Sequence, residues 1–194
     1  MRTPILFALL LSVTPAFAQP AAAPAQAAPA AGSLLSAKES KLTYHLVHKL
    51  HKFDGVSSKA EAKARIHPDG KVQVMVKVPV ESFDSGNANR DSHMKETIEA
   101  ARFPTVELKA MGEAPTPATF PTTVERTFKG ELAFHGVKKA LDIPVKLTYT
   151  SGTSIKAEAT LKLSLEDFKI ERPSLMFVKI DNEMPIEVSI TFGP

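Results

Sequence analysis

Residues 71–80 read Lys71-Val-Gln-Val-Met-Val-Lys-Val-Pro-Val80, with a valine at every even position. Successive side chains of a β-strand point to opposite faces, so the stretch predicts a strand with one apolar and one mostly polar face. The strict period of two does not match a helix, which repeats every 3.6 residues. These residues therefore predict a sheet that is buried on one side.

The same alternation returns along most of the chain and indicates an all-β protein. The runs are 42–50, which is the weakest, 60–66, 128–134, 143–149, 155–165 and 186–192. Glycines 55, 70, 112, 136 and 152 fall between the runs, where hairpin turns favour glycine. Sheets of this kind stack as a sandwich or close as a barrel, and the many small inward residues would leave room for a ligand inside a barrel.

One segment, Asp91–Arg102, interrupts this rhythm and predicts a short helix. Asp91 or Ser92 would be its N-cap, and Pro104 would end it.

The N-terminus predicts export. Residues 1–18 combine Arg2, an apolar stretch of about nine residues and Ala16-Phe-Ala18, the pattern of a signal peptide cleaved near Ala18. That stretch is too short to span a bilayer, so we expect no integral membrane span. Residues 19–37 are rich in Ala and Pro and predict a disordered tether, which leaves 38–194 as the folded domain. The expected location is the periplasm, or the medium after secretion.

Composition excludes several classes of function. The chain has no cysteine, which removes disulfides, thiol catalysis and Cys-ligated metals. Its formal net charge is +3, of which Arg2 would leave with the signal peptide, so charge gives no argument for nucleic-acid binding.

The order of residues resembles the YceI-like family of exported, lipocalin-like polyisoprenoid-binding proteins. The matching segments are Ser40-Lys-Leu-Thr-Tyr-His-Leu-Val-His48 with Gly55, Ser85-Gly-Asn87 with Arg90-Asp-Ser-His-Met94, Phe103-Pro-Thr-Val-Glu-Leu108, Gly130-Glu-Leu-Ala-Phe-His-Gly-Val137 and Leu163-Ser-Leu-Glu-Asp-Phe168. They span most of the predicted domain. The sequence departs from the family at Ser57 and Leu108, where Phe is usual, and at Lys169, where Gly is common.

The resemblance implies an antiparallel eight-stranded lipocalin-like barrel with one short helix after the third strand. It also implies a cavity that holds an isoprenoid lipid or an isoprenoid quinone. The side chains expected to line the cavity and its mouth are Tyr44, Leu46, His48, Val74, Val76, Val78, Phe83, Arg90, His93, Met94, Leu132, Phe134, Leu147, Leu161, Leu163 and Ile190.

Two side-chain groups invite other chemistry. His45, His48 and His51 suggest a metal, but on one continuous strand His48 would face away from the other two, so we expect no metal site. Arg90, Asp91 and His93 suggest acid–base catalysis. We expect instead that Asp91 caps the helix and Arg90 holds the preceding loop, with no catalytic residues and no cofactor.

Three functions follow from the sequence. The leading one is non-enzymatic binding, carrying or sequestering of an isoprenoid lipid or quinone. The second is a packed-barrel interaction module without lipid, and the third a hydrolase-type enzyme that uses Arg90, Asp91 and His93. The sequence leaves a homodimer open.

Overall fold

The computed structural model describes residues 32–48, 51–115, 117–175 and 177–194. The predicted signal peptide and most of the predicted tether lie outside the described residues. In the described residues, eleven strands and one α-helix accompany two single-turn 3-10 helices, Val80–Ser82 and Glu166–Phe168. The strands and the α-helix are named as follows. They are β1 (Leu34–His48), β2 (His51–Ser57), β3 (Glu61–Ile66), β4 (Lys71–Pro79), α1 (Ala88–Thr97), β5 (Thr105–Glu113), β6 (Thr122–Phe134), β7 (Val137–Ser151), β8 (Ser154–Ser164), β9 (Ser174–Leu175), β10 (Val178–Lys179) and β11 (Glu183–Gly193).

The strands close into an antiparallel barrel. Neighbours follow the order β1, β3, β4, β5, β6, β7, β8 and β11, and β11 pairs back with β1. Strand β2 continues the line of β3, since β3 pairs with the start of β1 and β2 with its end. If β2 and β3 are counted as one broken strand, the barrel has eight strands and α1 follows the third. The predicted fold is confirmed.

The alternation seen in the sequence decides which side chains face inward. In β4, Val72, Val76 and Val78 are buried while Lys71 and Gln73 are exposed. The inward residues form two clusters along the barrel axis. One surrounds Phe128, Ile143 and Tyr149, and the other surrounds Tyr44, Phe134 and Phe168.

The predicted end of the tether at residue 37 is wrong, because Leu34–Ala37 already belong to β1. Leu35 is 3% exposed and pairs with Ala64, and Ser36 pairs with Lys63 and Gly193. This part of β1 was not predicted because residues 33–37 carry no charge and show no period of two, which left them unseparated from the Ala-rich segment before them.

The helix also begins earlier than predicted. It runs from Ala88 to Thr97, and its N-cap is Asn87, whose side chain accepts a hydrogen bond from the backbone N–H of Arg90. Asp91 therefore lies within the first turn and is not the cap. The chain leaves the helix at Ile98, before Pro104. No helix in the described part of the chain is long and apolar enough to cross a membrane.

Two of the five glycines do not lie in the hairpin turns that the sequence predicts for them. Gly70 and Gly136 lie in turns with positive φ, and Gly152 lies in the β7–β8 turn. Gly55 and Gly112 lie inside β2 and β5, where an aromatic ring crosses the backbone. A Cβ at Gly112 would come within 2.6 Å of the Phe128 ring.

Candidate functional site

One end of the barrel is hollow and holds a cavity of about 520 Å³. This volume lies within the usual range for small-molecule sites. Around the cavity stand α1, the β1–β2 hairpin and the segment between β8 and β11. We call the described part of that segment, residues 165–175 and 177–182, the mouth segment.

The residues predicted from the sequence line the interior, in two groups. Most of them line this large cavity: Tyr44, Leu46, His48, Val76, Val78, Phe83, Arg90, His93, Met94, Leu132, Phe134, Leu161 and Leu163. Val74, Leu147 and Ile190 instead line a smaller apolar cavity of about 110 Å³ toward the other end of the barrel. The two cavities share Val76, Leu108, Leu161 and Val188, so these four residues form a waist between them.

Several inward side chains keep part of their surface accessible even though they point to the barrel axis. Leu108, Leu161 and Val188 belong to this set, which is expected where the space in front of a side chain is empty. A packed barrel would bury these positions as fully as it buries Phe128. The packed-barrel alternative therefore does not describe this interior.

The mouth is held in shape by a network around Ser85. The Arg90 guanidinium donates from Nε to Ser85 Oγ at 2.8 Å and from Nη2 to the Ser85 carbonyl at 2.9 Å. Asp91 accepts hydrogen bonds from the backbone N–H and the hydroxyl of Ser85. Arg90 fastens the loop before α1, as predicted, and the carboxylate of Asp91 secures the same residue.

This network argues against the acid–base group considered from the sequence. The hydrogen bonds of Asp91 go to Ser85, and no hydrogen bond joins it to His93 among the described residues. His93 lies exposed on α1 and lines the mouth. Asp91 thus does not orient the His93 imidazole, which is the arrangement that the acid–base hypothesis supposed.

The prediction that His48 faces away from both His45 and His51 is wrong. Strand β1 ends at His48 and β2 begins at His51, so His48 and His51 pair across a hairpin and both line the cavity. His45 points outward, where its Nδ1 lies 2.7 Å from Asp54 Oδ1 and its Nε2 3.7 Å from Glu187. Within the described ranges, no group of three or more His, Cys, Asp or Glu side chains is placed to hold a metal ion.

The mouth segment was missed by the sequence analysis, although it supplies Leu165, Ile170, Pro173, Ser174 and Ile180 to the cavity. Hydrogen bonds tie it to the barrel. His48 Nε2 donates to the Val178 carbonyl at 3.1 Å, His135 Nδ1 to the Phe168 carbonyl at 2.9 Å, and the N–H of Asp181 to the Val47 carbonyl at 2.9 Å. Within the segment, Arg172 donates to the Ile180 carbonyl at 3.0 Å. Such a segment has no period of two. The only signal available was the apolar residues between two well-defined strands.

Tyr44 carries a buried polar group on the cavity wall. Its side chain packs against Phe83, with ring centroids 5.4 Å apart, and its hydroxyl has no hydrogen-bond partner among the described residues. Burial first, and then the negative charge of Asp91, raises the pKa of Tyr44 to about 12, although the charge of Arg90 opposes this. The hydroxyl therefore stays protonated and can donate a hydrogen bond to a bound molecule.

The departures from the family pattern have local consequences. Ser57 is buried and hydrogen-bonds the Ser82 hydroxyl at 2.7 Å, so a polar contact stands where an aromatic ring is usual. Leu108 lies at the waist. Lys169 adopts the left-handed conformation, with φ of 58°, which explains why glycine is common at that position.

Solved structures of three proteins share the fold. The first is a polyisoprenoid binding domain from Saccharophagus degradans implicated in plant cell wall breakdown, 16% identical, with a TM-score of 0.66 over 82% of this chain and 97% of that one. BcnA of Burkholderia cenocepacia is 18% identical, with a TM-score of 0.61 over 78% and 95%. The YceI protein of Campylobacter jejuni is 14% identical, with a TM-score of 0.57 over 76% and 86%. No curated protein matches the sequence.

A closed antiparallel barrel with an apolar cavity at one end and a helix beside the mouth defines a lipocalin-like protein. The sequence narrows this class to one family. The family model of the YceI-like domain matches residues 34–192, and the chain belongs to that family. The match begins at the first residue of β1, not at residue 38.

Proposed function

We propose that this protein binds an isoprenoid lipid or an isoprenoid quinone in its cavity, and carries or sequesters it in the periplasm without changing it chemically. The observation that carries the proposal is the cavity of about 520 Å³, whose deeper wall is formed by Val76, Val78, Leu132, Leu161 and Leu163. A branched hydrocarbon chain suits such a wall because it makes no hydrogen bonds.

The energetics of burial support a long apolar ligand. Each buried methylene contributes roughly 0.8 kcal/mol. About ten buried carbons would therefore offset the several kcal/mol lost when two molecules associate. The smaller cavity beyond the waist gives the tail of a longer chain further room if Leu108 and Leu161 change rotamer.

Binding without catalysis suits the side chains at the mouth. Arg90 and Asp91 both hold Ser85, and His93 has no carboxylate to orient it among the described residues. The wild-type protein and His93→Ala should therefore both leave a bound lipid chemically unchanged. Turnover of a lipid that disappears in His93→Ala would instead establish the enzyme alternative.

Two further considerations support the ligand and the location. The Saccharophagus degradans domain is described as polyisoprenoid binding, which makes polyisoprenoids the first class of ligand to test. The pattern of residues 1–18 is typical of export through the general secretory route. Fractionation of cells that express the full chain would test the location, and recovery of the uncleaved protein from the cytoplasm would contradict it.

The ligand can be tested by mass spectrometry of an organic extract of the purified protein. We expect a co-purifying isoprenoid in the wild type. Val76→Trp places an indole at the waist and should reduce the lipid recovered while the barrel stays folded. Met75→Trp is the matched control, because Met75 is the adjacent exposed residue of β4. If Val76→Trp keeps its full lipid content, the cavity is not the binding site.

A further inference from the structure

We propose that the β9–β10 hairpin docks the protein on a phospholipid bilayer, with the Phe177 ring inserted among the acyl chains and the cavity mouth next to the membrane. The proposal rests on the proposed function, because it takes the bilayer as the place where the bound lipid enters and leaves the barrel. The contact uses only the rim and leaves the cavity free.

Phe177 is an aromatic residue that the folded chain does not bury. It lies in the turn between β9 and β10, and its side chain is 104% exposed. The other exposed large apolar side chains of the described residues are between 36% and 52% exposed; they are Leu34, Val56, Met75 and Met111. The Phe177 ring therefore stabilises nothing within the described part of the chain.

The backbone at Phe177 is also unfavourable for this residue type. Its φ is 65°, in the left-handed region, where a bulky side chain costs free energy that glycine or asparagine largely avoids. Hairpin turns with positive φ favour glycine, asparagine and aspartate for this reason. Backbone strain and a fully exposed ring at one position are typical of a functional site, since neither stabilises the fold.

The hairpin stands on the rim of the large cavity. Pro173 before it and Ile180 after it line the cavity, and the N–H of Ile180 donates to the Pro173 carbonyl at 3.1 Å, which closes the base of the hairpin. His48 Nε2 donates to the Val178 carbonyl at 3.1 Å and ties the hairpin to the end of β1. A bilayer that takes up the Phe177 ring lies beside the mouth, so an isoprenoid chain can pass between membrane and cavity without crossing water.

A bilayer suits this isolated ring better than a protein partner does. A stable protein interface needs a complementary surface of about 800 Å² on each partner. Along the mouth segment, the exposed neighbours of Phe177 are instead charged, and the two signs balance; they are Lys169, Glu171, Lys179 and Asp181. Fluid acyl chains accept a ring without a matching shape, and the lysine ammonium groups can stay among the head groups. Docking should consequently depend on the ring and little on anionic lipid.

The experiment uses the absence of tryptophan from the sequence, because Phe177→Trp then supplies a single indole at the proposed contact. In the full-length mature protein, we expect its emission to shift to the blue on addition of dioleoylphosphatidylcholine vesicles. The emission should be quenched when the acyl chains carry bromine, and phosphatidylglycerol in the vesicles should change the result little. Met111→Trp is the matched control, because Met111 is an exposed residue of β5 near the opposite end of the barrel, and its emission should not change.

Variants without an indole test the native residue. Phe177→Asn suits the left-handed backbone and removes the ring, so it should lower vesicle binding in a sedimentation assay about tenfold to a hundredfold, the value of burying one phenyl ring. Phe177→Leu stays apolar and should retain most of the binding. Both variants should bind geranylgeraniol in solution as tightly as the wild type, because Phe177 is not among the described residues that line the cavity.

The outcomes separate docking from lipid binding. An unchanged emission of Phe177→Trp in the presence of vesicles would overturn the docking, while binding of geranylgeraniol would keep the proposed function standing. Equal quenching of Phe177→Trp and Met111→Trp would also overturn it, since adsorption would then not depend on the hairpin. A blue shift that grows with protein concentration in the absence of vesicles would show that a second copy covers the ring and would contradict the bilayer. Quenching of Phe177→Trp in a protein that binds no geranylgeraniol and yields no isoprenoid would support the docking and remove the proposed function.

Discussion

The ring of Tyr44 lies directly across the backbone of Gly55, its partner on the neighbouring strand β2. A Cβ built on Gly55 would lie 2.2 Å from Cζ of that ring, far inside van der Waals contact. The glycine therefore lets the tyrosine lie flat against the barrel wall and form part of the cavity surface. The position requires the absence of a side chain and makes no use of a positive φ.

This contact predicts that Gly55→Ala forces the Tyr44 ring away from β2. Overfilling of a packed site typically costs 1–3 kcal/mol, and we expect a loss of about 2 kcal/mol in the free energy of unfolding. Chemical denaturation would measure it. In a Tyr44→Leu background the same substitution should cost much less, because the ring that meets the methyl group is gone. Equal costs in both backgrounds would mean that the contact does not determine the effect.

The two tyrosines of the chain, Tyr44 and Tyr149, predict the behaviour of the protein in alkali. Both are buried, at 6% and 1% exposure, and burial is the first cause that raises each pKa. An unfolded tyrosine ionises near pH 10, whereas Tyr44 in the barrel has a pKa of about 12.

The sign of the effect on stability follows from proton binding. Between about pH 10 and 12 the folded chain holds protons that the unfolded chain releases, so the stabilising contribution is complete below pH 10 and falls as pH rises toward 12. Tyrosinate absorbance near 295 nm should appear near pH 10 in denaturant, whereas in the folded protein Tyr44 should ionise only near pH 12 and Tyr149 later than in the unfolded chain. A folded-state transition near pH 10 for both residues would contradict their burial.

The start of β1 predicts a sharp difference between two truncations. Removing residues 1–31 keeps Gly32, whose N–H donates to the Ile66 carbonyl at 2.7 Å, and should leave the unfolding free energy nearly unchanged. Removing residues 1–37 also deletes buried Leu35 and the pairing with Ala64 and Lys63.

We expect the longer truncation to cost about 3 kcal/mol or more, in the range of large-to-small changes in a core, plus the lost ladder hydrogen bonds. Leu35→Ala in the otherwise complete mature chain should reproduce part of the loss. Thermal and urea unfolding of the three proteins would measure these differences. If both truncations melt together, residues 34–37 do not stabilise the barrel.

The period-two pattern was enough to predict the strands, because an antiparallel sheet with one dry face imposes that period on its sequence. That the sheet closes into a barrel was implied by the resemblance to the YceI-like family. Parity alone also placed Val76, Leu132 and Leu161 on the inward face, whereas the cavity that they line was implied by the resemblance. The pattern failed where position depends on contacts between distant segments. Leu35 is buried because β3 and β11 meet there, and Ile170 reaches the cavity through a turn without periodicity.

The histidines illustrate the same limit. Parity along one strand separates His48 from His51, but the antiparallel pairing of β1 with β2 sets them opposite each other, and both line the mouth. The glycines at 55 and 112 were assigned to turns because composition does not reveal a ring that crosses from a neighbouring strand. Local sequence patterns thus identified the strands and the helix. Strand register and long-range packing determined which residues line the mouth.

Lys169 offers a test of strain at the mouth segment. The residue follows the single turn Glu166–Phe168 and adopts φ of 58° and ψ of 31°. The backbone N–H of Ile170 then reaches the Leu165 carbonyl at 3.0 Å, and Ile170 is directed into the cavity. A non-glycine residue in this conformation costs roughly 1–2 kcal/mol, which a glycine avoids.

Lys169→Gly should therefore raise the free energy of unfolding by up to about 1 kcal/mol, because the relief of strain exceeds the entropy that glycine adds to the unfolded chain. Lys169→Ala removes the same exposed side chain and keeps the strained backbone, so it should give no gain. Lys179→Gly, in the short strand β10, should lower stability, since that position is extended. Urea unfolding of the three variants would measure these differences in the free energy of unfolding. If Lys169→Gly loses as much stability as Lys179→Gly, the left-handed turn holds no strain for glycine to relieve.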